Sequence, residues 1–310
     1  MIEEKDRTFG IIYGIIAYTI WGLSPLYWNL LDSVLPFKIL VHRIFWGLIF
    51  LLIVLLITKK IRLFLTNIKL LLLNPKLLAL VIISSLLVSA NWLLNIWSVN
   101  NGYVIENSLG YYINPLVSIL LGTIFLKEKL NFWQVLSILL ATIGVIISTI
   151  DYGKFPYIAL SIALSFGLYG LLKKSSTFDV LLAQTFEMVL IVPFAIIYLL
   201  KLQLNGATSF GSQSAITTIL LIGTGIITII PQLLHVNAVK RITLTLSGFI
   251  QYIIPTLTLI LGIFVFREAF SFLQFISFSF IWIGVLLFSF SNFPFMQRLS
   301  PLSKKDLNLM

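Results

Sequence analysis

Long apolar runs separated by short polar segments fill nearly the whole chain. Ten of the runs approach the roughly 20 residues that a helix needs to cross a bilayer. None alternates apolar and polar residues with period two, so the pattern predicts transmembrane helices and not barrel strands. The predicted spans are Phe9–Trp28, Pro36–Thr58, Leu77–Val99, Ser108–Leu126, Phe132–Ile150, Phe155–Leu172, Val180–Leu200, Ser214–Val236, Thr243–Phe266 and Phe272–Ser291.

Composition supports an all-α integral membrane protein. Of 310 residues, 59% are hydrophobic and only 10% are charged, whereas soluble domains carry about 25% charged residues. The net charge is +10, but the chain lacks the polar surface on which a nucleic-acid binder clusters its basic residues. Nucleic acid is therefore not an expected partner. The first run has no small-residue cleavage site, and we interpret it as a span and not a signal peptide.

Lysine and arginine fall mostly on one side of the predicted membrane. If the N-terminus is cytoplasmic, 16 of the 21 basic residues lie on that side and four on the other, while Arg43 lies within the second span. The positive-inside rule therefore predicts that both termini are cytoplasmic, which also requires an even number of spans. The four outer residues are Lys38, Lys154, Lys201 and Arg267.

The fourth and ninth spans repeat one sequence. YINPLVSILLGTIFLKEKLNFWQ, which starts at Tyr112, aligns without a gap to YIIPTLTLILGIFVFREAFSFLQ, which starts at Tyr252. A repeat of five helices is odd in number, so its second copy is inverted, an arrangement typical of transporters. We predict a first repeat over residues 1–150 (spans one to five), a second over 151–295 (spans six to ten), and a cytoplasmic tail over 296–310. The matching pairs that are not simply apolar are Tyr112/Tyr252, Pro115/Pro255, Gly122/Gly262, Glu128/Glu268 and Gln134/Gln274, with Lys127 opposite Arg267.

Several motifs resemble RarD-type proteins of the EamA group, in the drug/metabolite transporter superfamily. They are YTIWGLSPLY from Tyr18, Ala90-Asn91-Trp92, ENSLGYYINPL from Glu106, and GFIQYIIPT from Gly248. The resemblance covers nearly the whole chain. It implies a ten-span fold of two EamA repeats in a bacterial plasma membrane, and it does not imply a substrate.

Charged and polar side chains within the spans are the candidate cavity. Arg43, in the second span, suits an anionic or carboxylate-bearing solute, and Glu187, in the seventh, suits a proton carrier. The alternatives are a structural ion pair or an Arg43 side chain that extends to the outer interface. Gln232 and His235 share a face of the eighth span.

Polar stripes on three other spans complete the candidate site. They are Asn91, Trp92 and Asn95 in the third span, Tyr111 and Asn114 in the fourth, and Gln251 and Tyr252 in the ninth. Together they predict an aromatic-walled pocket with a few convergent polar groups. The alternative is ordinary hydrogen bonding between helices. Pro115 and Pro255 are expected to kink the fourth and ninth spans.

The predicted function is secondary transport of a small metabolite or drug-like solute by alternating access. No GxxxxGK[ST] motif is present for ATP-driven transport. The alternatives are a membrane enzyme, and a channel or scaffold. The chain has only two histidines and no acidic cluster within a span, which argues against catalysis. No cofactor or metal is expected. The expected partners are an unidentified solute and membrane lipids, and a homodimer is possible.

Overall fold

The computed structural model describes residues 2–206, 208–212, 214–267 and 270–299. Within those ranges the chain is helical, with no strand. The predicted tail from residue 300 and Glu268 lie outside the described residues. The helices are α1 (Ile2–Asn29), α2 (Pro36–Ile57), α3 (Ile61–Leu73), α4 (Pro75–Asn100), α5 (Val104–Phe125), α6 (Phe132–Tyr152), α7 (Tyr157–Ser175), α8 (Val180–Leu204), α9 (Ala215–Arg241), α10 (Leu244–Gln251), α11 (Ile253–Phe264), α12 (Phe272–Phe290) and α13 (Pro294–Arg298).

Ten spans are long and apolar enough to cross a membrane within the described chain, as predicted. Nine are single helices, and the ninth span consists of α10 and α11, which are interrupted at Tyr252. The predicted boundaries were short at several helix ends. Helix α7 continues to Ser175 and α9 to Arg241, so Lys173, which the sequence analysis placed in a loop, belongs to a membrane helix.

The two halves repeat local structure as well as sequence. Asn131 and Gln134 form a capping box at the start of α6, and Ser271 and Gln274 form the same box at the start of α12. Each box satisfies orphan N–H groups in the first turn of its helix. Lys127 and Arg267 both adopt left-handed backbone, with φ of 53° and 56°. The structural repeat therefore extends beyond the aligned apolar residues.

Helix packing follows a pseudo-two-fold relation between the halves. Helix α5 packs on α7, and its counterpart α10–α11 packs on α1. In the same way α9 packs on α1 and α4 packs on α7, while α6 packs on its own counterpart α12 and α2 on α8. The fold is thus two five-helix repeats, and their odd number of spans makes the second inverted relative to the first.

The alternation of spans defines two faces of the bundle. We call the side on which α1 begins the N-terminal face, and the other side the opposite face. Helix α3 lies at the N-terminal face between two spans. Its Phe64 stacks on Phe186 of α8 with ring centroids 4.7 Å apart, which anchors α3 to the bundle.

Candidate functional site

Arg43 points into the bundle from α2. It lies seven residues after Pro36, so it enters the membrane about 10 Å from the opposite face. Its Nε donates a hydrogen bond of 2.9 Å to Thr228 Oγ1. Thr228 is the middle residue of the 27-residue helix α9, so Arg43 reaches the centre of the bundle and does not extend to the outer interface.

Two tryptophan rings hold the Arg43 guanidinium. Its Cζ lies 5.0 Å from the ring centroid of Trp28 in α1 and 5.3 Å from that of Trp92 in α4. Cation–π contacts of this kind contribute about 0.5–2 kcal/mol, more where water is excluded. No acidic side chain among the described residues forms an ion pair with Arg43. Its positive charge is therefore held in place without being neutralised.

Residues around Arg43 keep accessible surface inside the bundle. Tyr111 of α5 interacts electrostatically with Arg43 and is nevertheless 38% accessible. Arg43 and Asn95 are partly accessible as well. Since a residue beside the deeply placed Arg43 keeps this much accessible surface, we infer that this surface faces a cavity between the helices. Arg43, Trp28, Trp92 and Tyr111 form its walls in the half of the bundle nearer the opposite face.

The asparagines of α4 brace the cavity wall and do not line it freely. Asn91 Nδ2 donates to the Ile162 carbonyl of α7 at 2.9 Å and to Ser165 Oγ at 3.2 Å. Asn95 Oδ1 accepts from Tyr111 OH and from Asn107 Nδ2, both at 3.0 Å. These bonds fix α4 to α5 and α7 and orient the Tyr111 hydroxyl. Within this stripe Trp92 contacts Arg43, whereas Asn91 and Asn95 hydrogen-bond to neighbouring helices.

An aromatic layer closes the cavity toward the N-terminal face. Trp21 and Phe166 meet edge to face at 5.6 Å, and His235 of α9 packs on both, at 5.6 Å and 4.9 Å. His235 Nδ1 is hydrogen-bonded to Tyr18 OH at 3.0 Å. Aromatic side chains from α1, α7 and α9 thereby separate the Arg43 cavity from a second polar region.

That second region contains a buried ion pair. Lys173 of α7 pairs with Glu187 of α8, and the two side chains are 1% and 2% accessible. Tyr169 OH donates to Glu187 Oε2 at 3.4 Å and accepts from Gln232 Nε2 at 2.9 Å. Glu187 thus pairs with Lys173 and not with Arg43, which removes the ion pair that the sequence analysis considered between the second and seventh spans.

The remaining predicted residues are buried between helices. Gln251 Nε2 donates to Tyr18 OH at 3.3 Å and lies 3.5 Å from Ser118 Oγ. Asn114 is buried in α5, and Tyr252 is buried in an apolar cluster with Phe249. Helix α5 runs through Pro115 without interruption, whereas the ninth span is interrupted three residues before Pro255. The candidate residues therefore divide into the cavity, the ion-pair region and helix interfaces.

Several polar links join the repeats at the N-terminal face, and three of them involve a carboxylate. Asp6 of α1 pairs with Arg241 of α9 at 3.0 Å. Lys60, before α3, pairs with Asp179, before α8, at 2.6 Å. Glu128, between α5 and α6, accepts from the backbone N–H groups of Leu244 and Thr245 at 2.7 and 2.9 Å. A carboxylate suits the positive end of a helix, so Glu128 anchors the start of α10.

The equivalent place at the opposite face is open. Val104 and Ile105, at the start of α5, correspond to Leu244 and Thr245 through the 140-residue offset of the repeat. They are 51% and 70% accessible, against 1% and 3% for Leu244 and Thr245. The two equivalent helix starts therefore differ, because the start of α10 is covered and the start of α5 is exposed.

Sequence reasoning missed Lys173, Tyr18 and Trp28. Lys173 was counted with its neighbour Lys174 as part of a basic loop. The spacing of Phe166, Tyr169 and Lys173 at three and four residues places them on one helix face, and this signal was available. Trp28 was not among the predicted site residues, because nothing local shows that it meets an arginine from another span.

The fold and the polar interior are those of a membrane transporter, and the comparisons with known proteins agree. The model of the EamA-like transporter family matches residues 8–150 and 156–290. The chain belongs to this family, and its relatives place it among the RarD-type members. It is 45% identical to "Uncharacterized transporter YojE" of Bacillus subtilis (strain 168), over 94% of this chain and 97% of that protein.

Other relatives extend the similarity. "Protein RarD" of Salmonella typhi is 38% identical over 93% of this chain and 96% of its own. "Chloramphenicol-sensitive protein RarD" of Pseudomonas aeruginosa is 25% identical over 90% and 92%. A protein of known crystal structure, 16% identical, matches with a TM-score of 0.67 over 94% of this chain and 98% of that one, which shows a shared fold.

Proposed function

We propose that this transporter moves a small organic monoanion, a carboxylate on an apolar or aromatic body, across the bacterial plasma membrane by alternating access. The N-terminal face is assigned to the cytoplasm from the 16 basic residues that the sequence puts there. With that assignment the Arg43 cavity opens to the outside. The transporter is a secondary carrier, and its solute binds between the two repeats.

The observation that carries the proposal is the unneutralised Arg43. A cation near the centre of a membrane protein costs at least 2.5–3.5 kcal/mol on insertion scales, by order of magnitude. Its Nε is used by Thr228, which leaves the guanidinium nitrogens at the other end for a ligand. Guanidinium matches the planar carboxylate in two parallel hydrogen bonds. The aromatic walls supply the apolar contact that a small-molecule pocket needs.

Alternating access is supported by the difference between the two faces. The repeats are equivalent in sequence, yet the start of α10 is covered and bonded to Glu128, whereas the start of α5 is exposed. Exchange of these two conformations between the repeats generates a state that is open to the N-terminal face. Inverted repeats produce the two states of a carrier in this way.

The test is ligand stabilisation of the purified protein. We expect indole-3-acetate to raise the melting temperature of the wild type, because a ligand at 100 times its Kd stabilises the folded state by about 2.7 kcal/mol. Tryptamine, which replaces the carboxylate by an ammonium group, should give no shift. Arg43→Gln should abolish the shift. Lys201→Gln removes a positive charge from an exposed site and should leave the shift intact.

Two results would contradict the proposal. One is an equal shift for tryptamine, and the other is an unchanged indole-3-acetate shift in folded Arg43→Gln protein. Chloramphenicol, suggested by the name of one relative, is neutral and belongs in the same screen. A chloramphenicol shift that survives Arg43→Gln, with no carboxylate shift in the wild type, would replace the monoanion by a neutral drug-like solute.

A further inference from the structure

Two opposite charges are sealed in the half of the bundle nearer the N-terminal face. Lys173 lies two residues before the end of α7, and Glu187 lies seven residues into α8, about 10 Å along its axis. Both side chains are almost fully buried. The aromatic layer of Trp21, Phe166 and His235 separates them from the Arg43 cavity.

Polar groups face this pair from several helices. Helix α7 contributes Tyr169, α8 contributes Gln184, and α9 contributes Gln232, all joined through the Tyr169 hydroxyl. From α4, Ser85 Oγ donates to the Glu187 backbone carbonyl at 3.1 Å, and no titratable group is added. On α2, Arg43 bonds to Thr228 and His42 stacks on Phe210. Both therefore point away from the pair.

His235 connects the ion-pair region to the aromatic layer. Its Nδ1 is bonded to Tyr18, while its buried Nε2 has no hydrogen-bond partner among the described residues. Nε2 faces Gly170, one turn before Lys173 on α7: a Cβ there would lie 3.9 Å from it. His235 and Lys173 interact electrostatically, as do Lys173 and Lys240 near the N-terminal face. A series of ionisable groups thus extends from the aromatic layer to the N-terminal face.

Stability alone does not explain such a pair. Replacing a buried ion pair by apolar residues is often neutral or stabilising by about 1–4 kcal/mol. Ionisable residues within membrane spans mark ion pathways and proton relays. The pair also joins α7 to α8, which belong to the repeat that the alternating-access movement must rearrange. A group whose charge holds two moving helices together is suited to couple that movement to ion binding.

We propose that Glu187 is the proton-binding site that couples transport to the proton gradient. The Glu187 carboxylate takes one proton and becomes a neutral acid, which breaks its ion pair with Lys173 and releases α7 from α8. This inference rests on the proposed transport of a monoanion. Arg43, Lys173 and Glu187 together carry a charge of +1, and binding one anion and one proton leaves that charge unchanged. The loaded and the empty carrier therefore have the same charge at these sites, so charge does not favour the conformational change of one over the other.

The proton site is testable without transport. Infrared difference spectra of the purified protein should develop the carbonyl band of a protonated buried carboxylic acid as the pH is lowered from weakly alkaline to weakly acidic. Lys173→Met/Glu187→Gln removes both charges, so no unpaired charge stays buried, and it should lack the band. Glu128→Gln removes a different, partly buried carboxylate and should keep the band. Absence of the band in the wild type, or its persistence in the double variant, would overturn the proposal.

Coupling is measured in proteoliposomes with labelled indole-3-acetate. We expect the wild type to exchange the probe between equal pools and to accumulate it against its gradient when an inward proton gradient is imposed. The double variant should still exchange the probe, but it should accumulate at least tenfold less of it than the wild type. Equal accumulation by both proteins would overturn the coupling. Failure of the wild type to exchange the probe counts against the proposed solute class, and the infrared result then decides the proton site alone.

Discussion

The two halves of the membrane bundle differ in how they handle charge. Toward the N-terminal face, charges are paired and the repeats are joined by Asp6–Arg241, Lys60–Asp179 and Glu128 at the start of α10. Toward the opposite face, Arg43 is held by aromatic rings and has no acidic partner among the described residues. One half thus joins the repeats, and the other holds the positive charge for which we propose a negatively charged solute.

Some features recur in both repeats and belong to the fold, whereas others differ between the repeats and belong to its present state. Capping boxes, left-handed loop residues and helix pairings recur in both repeats and are properties of the fold. The burial of Leu244 and Thr245 against the exposure of Val104 and Ile105 does not recur. In the proposed cycle the exposure of these two helix starts changes between the states, so their contacts are the ones to perturb.

The largest expected effect comes from leaving one buried charge without its partner. Lys173→Met leaves the Glu187 carboxylate unpaired inside the closed half, which should cost about 3–5 kcal/mol. We expect much less folded protein and a lower melting temperature. Fluorescence-detected size exclusion and thermal unfolding measure both. The double variant Lys173→Met/Glu187→Gln should recover most of the loss, whereas equal damage in the two proteins would show that the charges do not act as a pair.

The seam at the N-terminal face should open when its anchor is removed. Glu128→Ala leaves the N–H groups of Leu244 and Thr245 without their acceptor, a loss of about 1–3 kcal/mol from the closed state. Because the same groups at the opposite face are already exposed, the variant makes the two ends more alike. A cysteine at position 245 should react faster with a maleimide in the Glu128→Ala background.

A matched variant controls for general loosening. Glu106 is a buried carboxylate in the first turn of α5, and it accepts from the Ile158 N–H at 2.6 Å near the opposite face. Glu106→Ala should leave the reaction of a cysteine at position 245 unchanged. Faster labelling in both backgrounds would mean that the N-terminal face is not held by Glu128.

The smallest effect concerns the exposed link between Lys60 and Asp179. Partial burial opposes ionisation of Asp179, but the Lys60 ammonium and the Leu182 and Leu181 N–H groups favour it more, and they hold its pKa below the ordinary 3.8. At a pH above the pKa that Asp179 has in the unfolded chain, the ionised Asp179 stabilises the fold. That stability is lost as the pH falls through the lower pKa of Asp179 in the folded protein. Asp179→Asn should therefore flatten the acid limb of thermal stability below about pH 4, by under about 1 kcal/mol.

The sequence was sufficient for the spans and the repeat because hydropathy and sequence identity are local properties. The ten runs and the 140-residue offset correspond to helices that pair as expected. Boundaries failed where lysines lie inside a helix end: Lys173 was assigned to the basic loop, although α7 continues past it and buries it.

The site was harder to predict because its contacts join distant spans. Arg43 was recognised as unusual, but its neighbours Trp28 and Trp92 come from α1 and α4, and its hydrogen-bond partner Thr228 comes from α9. Glu187 was recognised as well, and its partner was missed for the same reason. Residue type indicates which side chains are costly in a membrane, whereas their pairing depends on how the helices pack.

The most direct test of the account compares two repeat-equivalent positions. The natural chain has no cysteine, so Ile105→Cys and Thr245→Cys each introduce a single thiol. In purified protein the account predicts fast maleimide labelling at position 105 and slow labelling at position 245, with the difference reduced by Glu128→Ala. Equal rates, or faster labelling at position 245 without that substitution, would contradict a bundle that is closed at the N-terminal face and open at the other.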